Sequence, residues 1–199
     1  MHFTLNMPGL LDMGKYFLSL LAKPGALVMD LTAGNGHDTL FLAQLAGREG
    51  QVFSFDIQNQ AISNTRKLLS VYKDIAPVEL FLAGHEYFDK LLPQNVKGCI
   101  SAAVFNLGYL PGSNKEIVTH APTTLQALNK LADWLRPDGG IVVHIYMGHP
   151  EGALEGEAVI AWAKGLAWNS WSVASYEVVN KPKNREVLLF IVKKQPVHE

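Results

Sequence analysis

An acid that closes an apolar strand and is followed at once by a glycine pair carries the most chemistry in this chain: Val28-Met29-Asp30-Leu31-Thr32-Ala33-Gly34-Asn35-Gly36-His37-Asp38-Thr39. The two glycines permit the main-chain angles of a tight strand-to-helix turn and let a ligand approach the backbone. The first N–H groups of the helix that follows have no partner inside it. A second acid, Asp56, ends the next apolar run, Gln51 to Asp56, twenty residues after Gly36. From that distance a carboxylate binds both ribose hydroxyls of an adenosine. A lone Gly-x-Gly is most often an ordinary turn, but strand, helix and spaced acid together predict an adenosine-cofactor site.

Charge selects among the adenosine cofactors. A dinucleotide would set its pyrophosphate against Asp30, whereas S-adenosylmethionine (SAM) carries an ammonium and a sulfonium that Asp30 attracts. The turn also departs from the dinucleotide fingerprint, because Gly34-x-Gly36-x-x ends on Thr39 where a Gly or Ala would allow close helix packing. SAM is the expected cofactor.

Further along, an apolar strand runs into Asn106-Leu107-Gly108-Tyr109-Leu110-Pro111-Gly112. In a doubly wound sheet the carboxyl ends of the strands form the ligand crevice, and an amide beside an aromatic there suits a site that orients an amine without protonating it. The plainer alternative is a connecting loop in which Gly108, Pro111 and Gly112 only turn the chain. Tyr146-Met147-Gly148-His149-Pro150-Glu151-Gly152 follows the next strand; His149 is a candidate base, phosphate contact or cap of the helix behind it. Gly84-His85-Glu86 lies where an adenine ring would rest, or simply starts a helix. His144, inside a strand, is expected to be a hydrogen-bonded sheet histidine. The histidines form no short ligand pair on one helix face, so no metal is expected. The four tryptophans read as packing residues. Lys181, Lys183 and Arg185 form the compact basic cluster, either as solvated hairpin charges or as a local contact for RNA phosphates.

The elements that position these residues alternate in type. Helices are predicted at Leu10 to Leu21, His37 to Ala46, Asn59 to Tyr72, Glu86 to Leu92, Ile117 to Leu135 and Gly152 to Leu166. Strands are predicted at Ala26 to Leu31, Gln51 to Asp56, Val78 to Leu82, Ile100 to Asn106 and Ile141 to Tyr146, with Arg136 to Gly140 as a helix stop. A closing β-hairpin, Ser172 to Val179 and Glu186 to Lys193 around a Lys181-Pro182-Lys183-Asn184 turn, sets one antiparallel strand in a parallel sheet. The expected architecture is α/β and Rossmann-like, a seven-stranded, mostly parallel sheet, with residues 1–199 as a single domain. With 199 residues, 48% of them hydrophobic, and a net charge of −1, the chain can bury a full core but carries no global field for nucleic acid. One cysteine, no signal-peptide pattern at the start and no membrane-length apolar run predict a cytoplasmic protein; a homodimer stays open.

The motifs Asp30-x-Thr32-x-Gly34-Asn35-Gly36-His37-Asp38-Thr39, Phe55-Asp56-Ile57-Gln58, His85-Glu86, Phe105-Asn106 through Gly112 and Tyr146-x-Gly148-His149-Pro150 together resemble the YtqB-like family of rRNA methylase-like proteins, members of which are assigned as MnmM-type tRNA methyltransferases. The resemblance covers nearly the whole chain. It implies a class I SAM-dependent methyltransferase that moves a methyl group to the exocyclic amine of 5-aminomethyl-2-thiouridine at the tRNA wobble position. By place in the motifs it implies that Asp30, Thr32, Gly34, Asn35, Gly36, His37, Asp38, Thr39, Asp56, Ile57, Gln58, His85, Glu86 and Asn106 hold SAM. Asn106, Tyr109 and His149 would face the amine, with tRNA as partner. The chain departs from the family at Glu151, where a glycine is usual, and in the hairpin Asn180 to Arg185, where paired prolines are usual. An rRNA or small-molecule methyltransferase and a non-catalytic nucleotide-binding module are the alternatives.

Overall fold

Apolar runs bounded by glycine, proline and acids form the strands, and the amphipathic stretches between them form the helices. The computed structural model describes residues 7–112, 117–181, 183 and 185–195. Its elements are α1 (Leu10–Leu21), β1 (Leu27–Asp30), α2 (His37–Ala46), β2 (Gln51–Asp56), α3 (Asn59–Leu69), β3 (Val78–Leu82), α4 (Phe88–Leu91), β4 (Ile100–Leu107), α5 (Ala121–Trp134), β5 (Leu135–Tyr146), α6 (Pro150–Lys164), β6 (Trp171–Tyr176) and β7 (Glu186–Lys193).

The strands build one seven-stranded sheet in the order β3-β2-β1-β4-β5-β7-β6. Strands β1 to β5 pair in parallel, and β7 runs antiparallel between β5 and β6, as the hairpin pattern predicts. Chain order reverses between β1 and β4, and such a reversal opens a crevice above the carboxyl ends of the strands. The central strands β1, β2 and β4 are buried on both faces and read as nearly continuous apolar runs for that reason, while the edge strands β3 and β6 are partly exposed. On one face Val28, Val52, Ala102, Val104, Val142 and Leu188 pack with Leu18 of α1 and Leu42 of α2. On the other, Phe55, Phe105, Val143, Ile145 and Leu189 pack with Leu128 of α5 and Val159 of α6. Among the described residues no helix is long and apolar enough to cross a membrane.

Several element ends differ from expectation, each for a local reason. Helix α5 begins at Ala121, not Ile117, because Pro122 suits only a first turn and Val118 instead pairs with Tyr109 in an isolated antiparallel bridge. Helix α6 begins at Pro150, two residues before Gly152, with His149 as its N-cap. Helix α5 does stop just before 136–139, at Trp134, but that stretch is not a loop: it bulges from β5, with Leu135 paired to Ile100, Gly140 paired to Ala102, and Asp138 in a left-handed conformation (φ 61°). Helix α3 stops at Leu69, since Val71 and Tyr72 stay exposed and gain nothing by extending it. Exposed Val178 and Val179 likewise lie outside β6, which ends at Tyr176. The helix expected from Glu86 is a 3-10 turn, His85–Tyr87, running into α4. Of the expected hairpin turn, Pro182 and Asn184 lie outside the described residues.

Candidate functional site

The site is built on the turn between β1 and α2. Asp30 ends β1 with 0% exposure, its Oδ1 accepting the Thr32 backbone N–H at 3.1 Å and its Oδ2 accepting the Thr39 hydroxyl at 2.6 Å. Thr39 Oγ1 also lies 2.9 Å from Ser54 Oγ of β2. Burial, reinforced by the neighbouring charge of Asp38, pushes the Asp30 carboxyl up to about 7. Both oxygens are engaged inside the protein. Asp30 and Thr39 therefore brace the turn from behind, and act on a ligand through its shape and charge.

Gly34 (φ 53°) and Gly36 (φ 85°) take left-handed angles that favour glycine. A Cβ on Gly36 would sit 2.9 Å from Thr65 Cα, so its absence is also what lets α3 approach α2. No side chain of the N-cap closes the start of α2, and His37 at its first position is exposed. Asp56, at the end of β2, accepts the Gly34 N–H on Oδ2 and the Gln58 N–H on Oδ1, each at 2.9 Å. Its partial burial raises the carboxyl's pKa, while the N–H bonds of Gly34, Gln58 and Ile57 oppose the rise. Ile57 is exposed beside it, and Gln58 stands at the N-cap position of α3 without a side-chain cap bond.

The loop after β4 folds over this turn. Asn35 Nδ2 donates to the Pro111 carbonyl at 3.3 Å, and its Oδ1 accepts from Asn64 Nδ2 at 2.8 Å. Leu110 packs over Gly34, 3.7 Å from where a Cβ would stand. Asn106 is fixed twice: its backbone N–H donates to Thr32 Oγ1 at 2.7 Å, and its Nδ2 donates to Asp38 Oδ2 at 2.8 Å. A carboxylate only accepts, so Asp38 decides which way the Asn106 amide faces. The amide oxygen is left as the acceptor.

The remaining predicted residues divide. Tyr109, 38% exposed, stands at the rim with its ring centroid 6.0 Å from that of His149. His149 caps α6, its Nδ1 accepting the Gly152 N–H at 3.1 Å. A neutral imidazole with Nδ1 accepting carries its proton on Nε2, and that buried atom has no hydrogen-bond partner among the described residues. His149 is thus a donor in waiting, and the lone pair it would need as a base is taken. His85 is buried, with Nε2 3.4 Å from Thr124 Oγ1; burial lowers its pKa. It links the loop after β3 to the start of α5. Glu86 folds its carboxylate back over Gly84, and its carbonyl accepts from Lys130. His144 behaves as a sheet histidine: buried, stacked 4.1 Å from Tyr146, 3.4 Å from Glu186, and lowered in pKa by burial. Two of the three basic hairpin residues are already paired, Lys181 with Glu186 and Arg185 with Glu177; Lys183 is exposed.

Sequence reasoning missed Thr119, Thr124 and Glu155, which support the loop from below. Glu155 had a signal: it shares its helical face with Gly152, Gly156, Val159 and Ala163, an acid at core spacing. Thr119 and Thr124 were masked by the helix expected from Ile117.

The sequence model of the family described as "Putative rRNA methylase" matches residues 52–192. The chain belongs to that family. It is 37% identical over 181 residues to an Arabidopsis thaliana protein named tRNA (mnm(5)s(2)U34)-methyltransferase, chloroplastic; the match covers 87% of this chain and 65% of the relative, so the chain spans about two-thirds of that protein's length. A crystal structure from Clostridium thermocellum, called a "putative rRNA-methylase", superposes with a TM-score of 0.89 at 38% identity, covering 95% of this chain and all of the other. A Streptococcus mutans protein of the same fold, solved in complex with SAH, gives 0.83 at 31% identity over 94% of this chain and 99% of its own. The strand order is that of SAM-dependent methyltransferases, the class I fold.

Proposed function

We propose that this chain is a SAM-dependent methyltransferase of tRNA, acting on the exocyclic amine of 5-aminomethyl-2-thiouridine at the wobble position. The observation that carries the reading is Asn106, held over the glycine turn with its nitrogen committed to Asp38 and its oxygen left to accept. The relative's name supports the substrate, and the SAH held by the Streptococcus mutans protein supports the cofactor.

The residues suit SAM. The left-handed glycines leave room at the backbone, the start of α2 has no side-chain cap, and Asp56 keeps acceptor capacity for a ribose hydroxyl beyond its backbone bonds. Bound there, SAM supplies a methyl group made electrophilic by its sulfonium. What the protein adds is alignment and charge placement. An alkyl ammonium has no lone pair, so the site must hold the amine neutral. Asn106 Oδ1 accepts an N–H from a neutral amine and has no proton to give back. Asp38 puts negative charge behind that amide, which favours the positive charge the nitrogen gains as the methyl arrives and not the neutral form itself. Tyr109 covers the base at the rim, and His149 offers its Nε2–H to a carbonyl or phosphate oxygen of the RNA. Lys181, Lys183 and Arg185 are candidate phosphate contacts, since exposed ion pairs are weak enough to exchange for phosphate.

The family description names rRNA, which makes rRNA the second reading. Nucleoside analysis of a strain lacking the gene separates the two. Loss of the methylated wobble nucleoside with accumulation of its free amine supports tRNA; an unchanged tRNA profile with a methyl missing from rRNA overturns it.

A further inference from the structure

Glu155 is 2% exposed, on the face that α6 turns toward the core. A buried carboxylate is costly unless its oxygens are satisfied, and those of Glu155 are satisfied by hydroxyls. Its Oε2 accepts the Thr119 hydroxyl and its Oε1 the Thr124 hydroxyl, both at 2.6 Å.

A threonine hydroxyl has one proton. Thr119 gives its proton to Glu155, which turns an oxygen lone pair toward Gly108, whose N–H donates to it at 2.8 Å; the Thr119 N–H returns to the Gly108 carbonyl at 2.9 Å. Gly108 (φ 149°) is where the chain leaves β4, between Asn106 and Tyr109. Thr124 Oγ1, on the other side, has spent its proton on Glu155 and lies 3.4 Å from His85 Nε2, from which it can only accept. One carboxylate thus anchors the loop after β3, the start of α5 and the loop after β4.

We propose that Glu155 is a positioning residue for methyl transfer: through Thr119 it sets the Gly108 turn and so the aim of Asn106 and Tyr109, without touching substrate or cofactor. The catalytic part rests on the function proposed above. The hydrogen-bond chain stands without it.

Glu155→Met keeps the length and apolar bulk while removing both acceptors, and Thr119→Val removes the link to Gly108. Each is expected to lower kcat by roughly tenfold or more, with the SAM dissociation constant and the KM for tRNA held within about threefold. Exchange of the Gly108 amide, followed by NMR on the SAM-free chain, should quicken by roughly tenfold in both, since Thr119→Val removes the bond that protects it and Glu155→Met frees the hydroxyl that accepts it to rotate away. The double variant should be no worse than either single one, and Thr119→Ser should stay within about threefold of the parent. Parental kcat and parental Gly108 exchange in Glu155→Met would overturn the proposal, as would SAM affinity falling in step with kcat. Should Glu155→Met not fold, the Val and Ser substitutions at Thr119 decide by the same readouts. Absence of methyl transfer to tRNA by the parent chain would instead overturn the function, and Gly108 exchange would still decide the hydrogen-bond chain.

Discussion

Asp56 and Asp30 end neighbouring strands with the same side chain and do different work. Asp56 sits half-buried at the crevice with acceptor capacity to spare, so Asp56→Ala should weaken SAM binding by about 2–4 kcal/mol, the worth of charge-assisted bonds to ribose. Calorimetry reads this directly, and unchanged affinity would remove Asp56 from the site. Asp30 is spent inside the fold. Its carboxyl titrates at about 7 in the folded chain against 3.8 as the ordinary value, so between these the folded state holds a proton that the unfolded state has lost. Its contribution to stability is complete below the lower value and disappears as pH rises through the upper one. Urea unfolding should therefore show Asp30→Asn gaining on the parent from about pH 4 to about pH 7, with the gap level above that; a constant gap would contradict the burial argument. For His149, whose Nδ1 lone pair is committed to Gly152, alanine should reduce turnover by the same factor across pH. Recovery at high pH would restore it as a base. At this scale the turn glycines and the spacing of Asp56 were legible. The burial of Asp30 was not, since an acid closing a strand looks the same in sequence whether it faces the crevice or the core.

Elements show where local pattern is enough and where tertiary structure decides. The bounds of α1, α2, β2, β3 and β7 follow from the sequence, because apolar spacing and flanking breakers agree there. The start of α5, the bulge in β5 and the end of β6 do not, since each depends on a partner strand: the bridge of Val118 to Tyr109, the offset against Ile100, and a β6 ladder on β7 that stops at Tyr176, short of Val178 and Val179. Glycine at 36 serves both the turn and the helix pair above it. Gly36→Ala faces a positive φ and the Thr65 backbone together, and should cost about 1–3 kcal/mol of stability in a chemical melt, together with SAM affinity. A variant as stable as the parent would show that α2 and α3 can separate freely. In the hairpin, replacing Lys181, Lys183 and Arg185 with alanine should flatten the dependence of log affinity for tRNA on log salt by about one for each phosphate these side chains neutralise. An unchanged slope would move the RNA surface elsewhere.

The whole molecule explains why these residues meet. Reversal of strand order between β1 and β4 sets the glycine turn and the Asn106 loop side by side, and the loop closes over the turn through Asn35 and Leu110. This much of the architecture could be read from alternating patterns and the final hairpin. The support beneath the loop could not, because Glu155, Thr119 and Thr124 are joined only in three dimensions. A net charge of −1 also makes RNA recognition on this reading a local affair of shape and a few basic side chains. The central claim is that the crevice aligns a neutral amine for methylation. Its most direct test incubates the purified chain with SAM and tRNA bearing 5-aminomethyl-2-thiouridine, then digests the RNA to nucleosides for mass spectrometry. One methyl gained on the aminomethyl nitrogen, with Asn106→Ala binding SAM normally but turning over roughly ten- to a thousandfold more slowly, is the predicted result. No methyl on that nitrogen, or full turnover by Asn106→Ala, would contradict the account.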